Sequence, residues 1–298
     1  MAAMLRHGVS YWWVIPPIVV SAGLLVRIFI FFHDCGHDCF FPSRRANRIL
    51  GYITGVMTLT PFDEWKYKHA IHHAGSGNLD KRGIGDIWTM TIEEFNASPA
   101  RTRLIYRLYR SPLVLLVVGP PFIFFFQHRF STKVTGARGR RSVALTNLGI
   151  LGVGVALSLL MGWKTYLLIQ VPVMVLAAIC GVWMFYVQHQ YEQPYWEHQP
   201  EWDPIRAALE GSSYYKLPKV LQWFSGNIGL HHIHHLRAHI PNYNLQACFD
   251  RIPEMQCIEP LTLIKSFRCI FMNLWDEQRH SLVSFRAARR RQTSRASA

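Results

Sequence analysis

Three short segments put histidines three and four residues apart: HDCGH at 33–37, HAIHH at 69–73 and HHIHH at 231–235. On an α-helix such spacing stacks side chains on one face. His33 with His37, His69 with His72 and His73, and His231 with His234 and His235 can therefore each aim imidazoles in one direction. Imidazoles gathered in this way bind transition metals. A structural zinc takes four ligands and a catalytic zinc three plus water. The eight candidates, with His189 directly after a long apolar run as a ninth, are too many for one tetrahedral ion. Two ions with four or five imidazoles each would use the set, and open, imidazole-rich coordination is compatible with iron. Two such Glu-x-x-His motifs on paired helices, as in soluble carboxylate-bridged di-iron bundles, are not found.

Ligating imidazoles usually donate their second ring N–H to an orienting group. Asp34, Asp38 and Asp86 lie near the clusters and are expected to serve as those acceptors. Asn227, one turn before His231, could hold a metal-bound water, although an ordinary polar role competes. His232 points about 100° away from His231 on a helix and reads as a neighbour. His198 and His239 are candidates for a supporting role near the site, whereas His7, His128 and His280 read as ordinary surface or core histidines.

The elements that must position these rings are apolar. Half of the 298 residues are hydrophobic, and they come in blocks at 11–32, 49–62, 112–127, 144–162 and 165–187. A helix needs about 20 residues to cross a bilayer, so the first, fourth and fifth blocks qualify and the second and third are short. Gly119-Pro120-Pro121 should interrupt the third block near its middle. One metal centre requires all three histidine clusters on the same membrane side, so block 49–62 must make no net crossing. The full-length pair 144–162 and 165–187 is then a hairpin closed at Trp163-Lys164.

The formal charge is +14, but the basic residues flank apolar runs instead of interleaving with aromatics on a polar domain, which argues against nucleic acid. Arg44, Arg45 and Arg48, the segment 66–110, and Arg129, Lys133, Arg138, Arg140 and Arg141 fall on the side of the clusters, leaving little more than Arg6 and Lys164 opposite. By the positive-inside rule the clusters face the cytoplasm. Arg27, the charge inside the first block, should snorkel or meet a polar partner. The six cysteines form no CxxC pair and read as free thiols of a reducing compartment. These features predict a single membrane-embedded unit over residues 1–285, followed by a disordered basic tail at 286–298. The fold class expected is an all-α integral membrane protein whose transmembrane helices carry a cytoplasmic, histidine-rich cap.

The three boxes, with Gln188-His189 after the last long block, resemble those of the membrane fatty acid desaturases. GNLDKRGIGDIWTMTIEEF at 77–95 and IPNYNL at 240–245 are similar to the acyl-lipid branch, of omega-6 or delta-12 type, and the resemblance covers nearly all of residues 28–250. It implies a di-iron site in the cap, held by His33, His37, His69, His72, His73, His189, His231, His234 and His235, with dioxygen as co-substrate and a lipid-linked fatty acyl chain as substrate. One departure stands out: family members have a helical hairpin before the first box, and here only block 11–32 precedes it, which by parity puts the N-terminus outside with one crossing absent.

Abstracting hydrogen from an unactivated methylene exceeds any side-chain acid or base, so the cofactor carries the oxidation and the protein positions the substrate. The chain has no CxxCH haem attachment, ferredoxin-like cysteine run or GxGxxG fingerprint, so electrons must come from an external carrier, ferredoxin-like or a small haem cytochrome. A lipid or carotenoid hydroxylase or ketolase would share the boxes. A histidine-rich metal transporter is the rival of another class, but it should carry polar groups at mid-membrane, and blocks 144–162 and 165–187 are nearly free of them.

Overall fold

The computed structural model describes residues 1–296, with side chains to residue 290. After a short helix, Ala2–Arg6, the first long helix is α1, Ile15–Gly36. It starts at Pro16 and Pro17, where a missing N–H costs nothing because first-turn donors have no intrahelical partner. Helix α2, Arg44–Met57, is capped by Ser43 and packs along α1. Its 14 residues span about 21 Å, short of a hydrocarbon core of about 30 Å. The chain turns at Leu59 (φ 54°) and returns as α3, Phe62–Gly75, so block 49–62 ends in a turn. Gly51 permits the close crossing: a Cβ there would lie 2.3 Å from the Phe62 ring.

Asp63 and Glu64, buried in the first turn of α3, tie it to the segment that follows. Asp63 takes Arg48, Arg138 and Tyr52, and its N–H bonds Ser142 Oγ. Glu64 takes Lys68 and the Thr132 and Thr135 hydroxyls. The carboxylates thereby hold α3 against α4, Gly136–Met161. Gly162 (φ 85°) alone joins α4 to α5, Trp163–His189. Trp163 and Lys164, expected as the turn, already belong to α5, because glycine reaches this backbone conformation at low cost. The helical segments Tyr11–Gly36, Lys133–Met161 and Trp163–His189 are each long and apolar enough to cross a bilayer. Exposed Leu148, Leu151, Leu159 and Leu160 line α4, while Val14 just before α1 and Ile18, Ala22 and Val26 within it bury against Val173, Met174 and Ala177 of α5.

The third apolar block departs from expectation. Ala100–Tyr109 and Leu113–Arg129 meet at a 55° bend, so the break falls near Ser111-Pro112 and not at Pro120-Pro121. Those prolines open the helix Gly119–Phe125 after a wide i→i+5 turn at Leu113–Val118, where a missing N–H is tolerated. Arg27 donates to the Trp223 carbonyl and lies 4.3 Å from the centre of that ring.

The cap is not purely helical. Strand β1, Met90–Thr91, and β2, Tyr214–Lys216, precede two cap helices, α6 (His231–Leu236) and α7 (Asn242–Arg251). Then follow β3 (Pro260–Thr262), β4 (Leu274–Asp276) and β5 (Ser281–Val283). β4 pairs in parallel with β1 (Met90↔Leu274) and antiparallel with β5, while β2 and β3 pair in parallel. These strands of two or three residues satisfy the backbone groups of an irregular, partly buried chain, which helices alone would leave unpaired. Helix Phe285–Ala296 follows the strands and carries the start of the basic segment; Ser297 and Ala298, the end of the disordered tail expected at 286–298, lie outside the described residues.

Candidate metal centre

Four elements deliver the histidines. The last turn of α1 carries His33, and His37 caps that helix; α3 carries His69, His72 and His73; α5 ends at His189; α6 carries His231, His234 and His235. Their ring nitrogens meet in two groups. His33, His37, His69, His73 and His234 form one, with all ligand atoms within 4.8 Å of one another. His72, His189 and His235 form the other within the same limit, and His231 Nε2 joins it 3.0 Å from His189 Nε2.

Helical geometry explains the division. On α3 the i,i+4 pair His69 and His73 serves the first group, and His72, rotated off that line, serves the second. On α6 the i,i+4 pair His231 and His235 serves the second group, and His234 serves the first. The groups abut where His73 stacks on His235, ring centres 4.2 Å apart and 16° from parallel. Trp65, one turn before His69, stacks on that ring at 4.2 Å and fixes its plane.

The donor set fits metal ions. Nε2 atoms face one another at 3.0 Å (His33 and His69), 3.1 Å (His69 and His73; His73 and His234) and 3.2 Å (His72 and His189). Nitrogens at right angles around an ion with bonds of about 2.1 Å would lie about 3.0 Å apart. Buried Nε2 atoms of His37 and His235 have no hydrogen-bond partner among the described residues, as expected of atoms aimed at an ion. Burial, reinforced by neighbouring imidazoles, holds His37, His69, His73, His231, His234 and His235 well below the ordinary histidine value. They are therefore neutral at physiological pH, the form that ligates.

Two of the three expected carboxylates touch rings. Asp86 accepts from His72 Nδ1 at 2.5 Å and Asp34 from His33 Nδ1 at 3.1 Å, which leaves both Nε2 lone pairs pointing inward. Asp38 instead pairs with Lys66 at 2.7 Å and reaches no imidazole, because its positive φ of 56° carries it past the end of α1. Asn227 also touches no ring. Its amide donates to the Asn242 carbonyl, and Asn242 donates to Asp34 Oδ2 through its backbone N–H (2.6 Å) and its side chain (2.8 Å). Asn242 was not singled out from sequence, since nothing local links it to a carboxylate 208 positions away. His232 turns to the Met255 carbonyl, and His198 pairs with Asp80 at the surface.

Behind His189, Gln190 accepts from buried Arg110 (3.0 Å) and from Thr89 (3.2 Å), which fixes the end of α5 against the loop carrying Asp86. Nothing local in the sequence separates Arg110 from the chain's other cations. A narrow cavity opens onto the second group at His72 and His189; Phe185, Ile87, Asn78 and Trp196 line it. Phe185 lies 5.2 Å and 5.1 Å, centre to centre, from those two imidazoles.

Known proteins resemble this chain over most of its length. The family model described as fatty acid desaturase matches residues 10–264. A fatty acid desaturase of Bacillus subtilis (strain 168) is 46% identical over 285 residues, covering 96% of this chain and 81% of the relative. The sn-1 oleoyl-lipid 12-desaturase of Synechocystis sp. is 26% identical over 269 residues, covering 83% and 71%. The sn-1 acyl-lipid omega-3 desaturase (ferredoxin) of the same organism is 24% identical over 259 residues, covering 80% and 68%. With most of its length matched and its histidines gathered on four elements, this chain belongs to the fatty acid desaturase family.

Proposed function

We propose that the chain introduces a double bond into a lipid-linked fatty acyl chain at two non-haem irons. His33, His37, His69, His73 and His234 would hold one, and His72, His189, His231 and His235 the other. The observation that carries this reading is the convergence of nine buried or half-buried imidazoles into two adjoining groups. Bound iron would supply the oxidising power that side chains lack: dioxygen takes two hydrogens from adjacent methylenes and, with two electrons and two protons from outside, leaves as two waters.

The protein's own residues do the rest. Asp34 and Asp86 keep the protons of His33 and His72 on Nδ1 and orient the rings. Phe185 and Ile87 give the cavity beside His72 and His189 an apolar wall along which methylenes can lie, a proximity effect. The electrons come from an external one-electron carrier of the ferredoxin or small haem cytochrome class; the first is supported by the name of one relative. The cap faces the cytoplasm, which the distribution of Lys and Arg supports. Residues 1–285 act as one unit, as the Asp34–Asn242 bonds across the chain support.

Expression in a host lacking polyunsaturated lipids, followed by mass spectrometry with double-bond localisation, tests this. New double bonds that depend on His72 are expected. Hydroxylated or ketonic products would assign another reaction to the same boxes.

A further inference from the structure

Two amphipathic pieces of the cap expose large apolar side chains that no core cluster uses. One is the helix Lys219–Phe224, with Val220, Leu221 and Trp223 outward. The other is the run through Leu263–Ser266 and Phe267–Phe271, with Ile264 (82% exposed), Phe267 and Phe271 outward at helical spacing. Each leans on a different spanning helix. Arg27 of α1 donates to the Trp223 carbonyl, and Phe224 fills the space beside Gly23. Trp183 of α5 stacks on Phe267 with centres 5.7 Å apart.

The heights agree. Arg27 lies six residues before His33, and Trp183 six before His189, so both contacts are about 9 Å below the histidines along helices running the same way. Above them is the polar cap, and below them the exposed apolar surface of the spanning helices continues. Cations stand at the edge of both stripes: Arg27, partly buried and without a carboxylate partner among the described residues, Lys219 beside the first, and Arg268 within the second.

We infer that residues 219–224 and 263–271 are immersed in the phospholipid surface, with their apolar stripes at the upper edge of the hydrocarbon and the cations at the phosphates. Continuity with the lipid-facing helices and the match of positive charge to lipid phosphate favour a bilayer over a protein as the occupant. The metal centre then sits within about two helical turns of the acyl region, so a lipid-linked chain need not leave its leaflet to reach it. This inference rests on the membrane reading and not on the chemistry.

The test uses the full chain in nanodiscs of phosphatidylethanolamine and phosphatidylglycerol, labelled separately with hydroxyl radicals from the water and with a bilayer-dissolved diazirine carbene precursor, and read by peptide mass spectrometry. Val220, Trp223, Ile264, Phe267 and Phe271 should take up carbene. Their oxidation, each rate divided by the intrinsic reactivity of its side-chain type, should be several-fold slower than that of Ile205, which is exposed on a cap helix packed against α6. Oxidation of the stripes at the rate of Ile205 would place them in water, and protection from both reagents would mean coverage by a second copy; either overturns the inference. Leu148, Leu151 and Leu159 of α4 separate the two claims. If they take carbene and the stripes do not, only this inference fails, and if they too stay unlabelled the membrane reading fails with it.

Discussion

Asp34, Asp38 and Asp86 look alike in sequence, each a carboxylate near a histidine box, and hydrogen bonding sorts them. The distinction is measurable by competition against a chelator. Asp86→Asn and Asp34→Asn should each weaken metal binding by roughly 10–100-fold, the usual cost of losing a partner that orients a ligand. Asp38→Asn should leave it unchanged, since Asp38 holds only Lys66 and Asn tolerates the same backbone conformation. Equal effects at all three would mean that local charge, and not ring orientation, governs the site. His72→Ala should insert into the membrane normally, retain the five-histidine group and lose all product; product that persists would remove His72 from the ligand set. The candidate ligands were legible because helical periodicity is written in the sequence, and the structure brings those nine rings together in two groups. Their supports were legible only where they are sequence neighbours or sit in a nearby loop, as Asp34 and Asp86 do. Asn242 and Arg110 act across more than 75 positions, and no local pattern marks them.

Between residues and the whole, α3 is the element on which the site turns, because like α6 it supplies three candidate ligands split between both groups, and buried carboxylates in its first turn anchor it. Its base is set by charge. Burial works to raise the Glu64 carboxyl, but hydrogen bonds from Lys68, Thr135 and Thr132 outweigh it and hold the group below the ordinary glutamate value. A depressed folded pKa contributes stability that is complete above the unfolded value, about 4.3, and lost as pH falls through the folded one. The thermal transition in detergent should therefore decline as pH drops below about 4.3, and Glu64→Gln should flatten that decline; an unchanged slope would put the acid sensitivity elsewhere. Gly51→Ala should cost about 1–3 kcal/mol by forcing a Cβ into Phe62, read as a lower Tm that Phe62→Leu partly restores. The three long helices followed directly from block length. The bend near Ser111-Pro112 did not, because prolines at a helix start are harmless and only the structure shows that a helix starts at Gly119. The short strands were also hidden, since two or three residues paired across the chain leave no periodicity.

For the molecule as a whole, a single metal centre requires the three histidine clusters on one side of the bilayer and the α4–α5 turn on the other. A membrane-impermeant thiol reagent checks this on intact cells. Lys164→Cys should react from outside, and Ser98→Cys only after the cytoplasmic face is opened; reaction of both from outside would contradict the orientation drawn from the basic residues. The distribution of Lys and Arg supports that orientation, but the charge of +14 names no partner, because charge informs on surfaces and not on the chemistry they serve. The chemistry rests on the two imidazole groups. Elemental analysis of the purified full-length chain addresses them most directly. Two irons per chain are expected in the wild type and one in His72→Ala, while a single ion per wild-type chain, or zinc in place of iron in an active preparation, would contradict the di-iron reading.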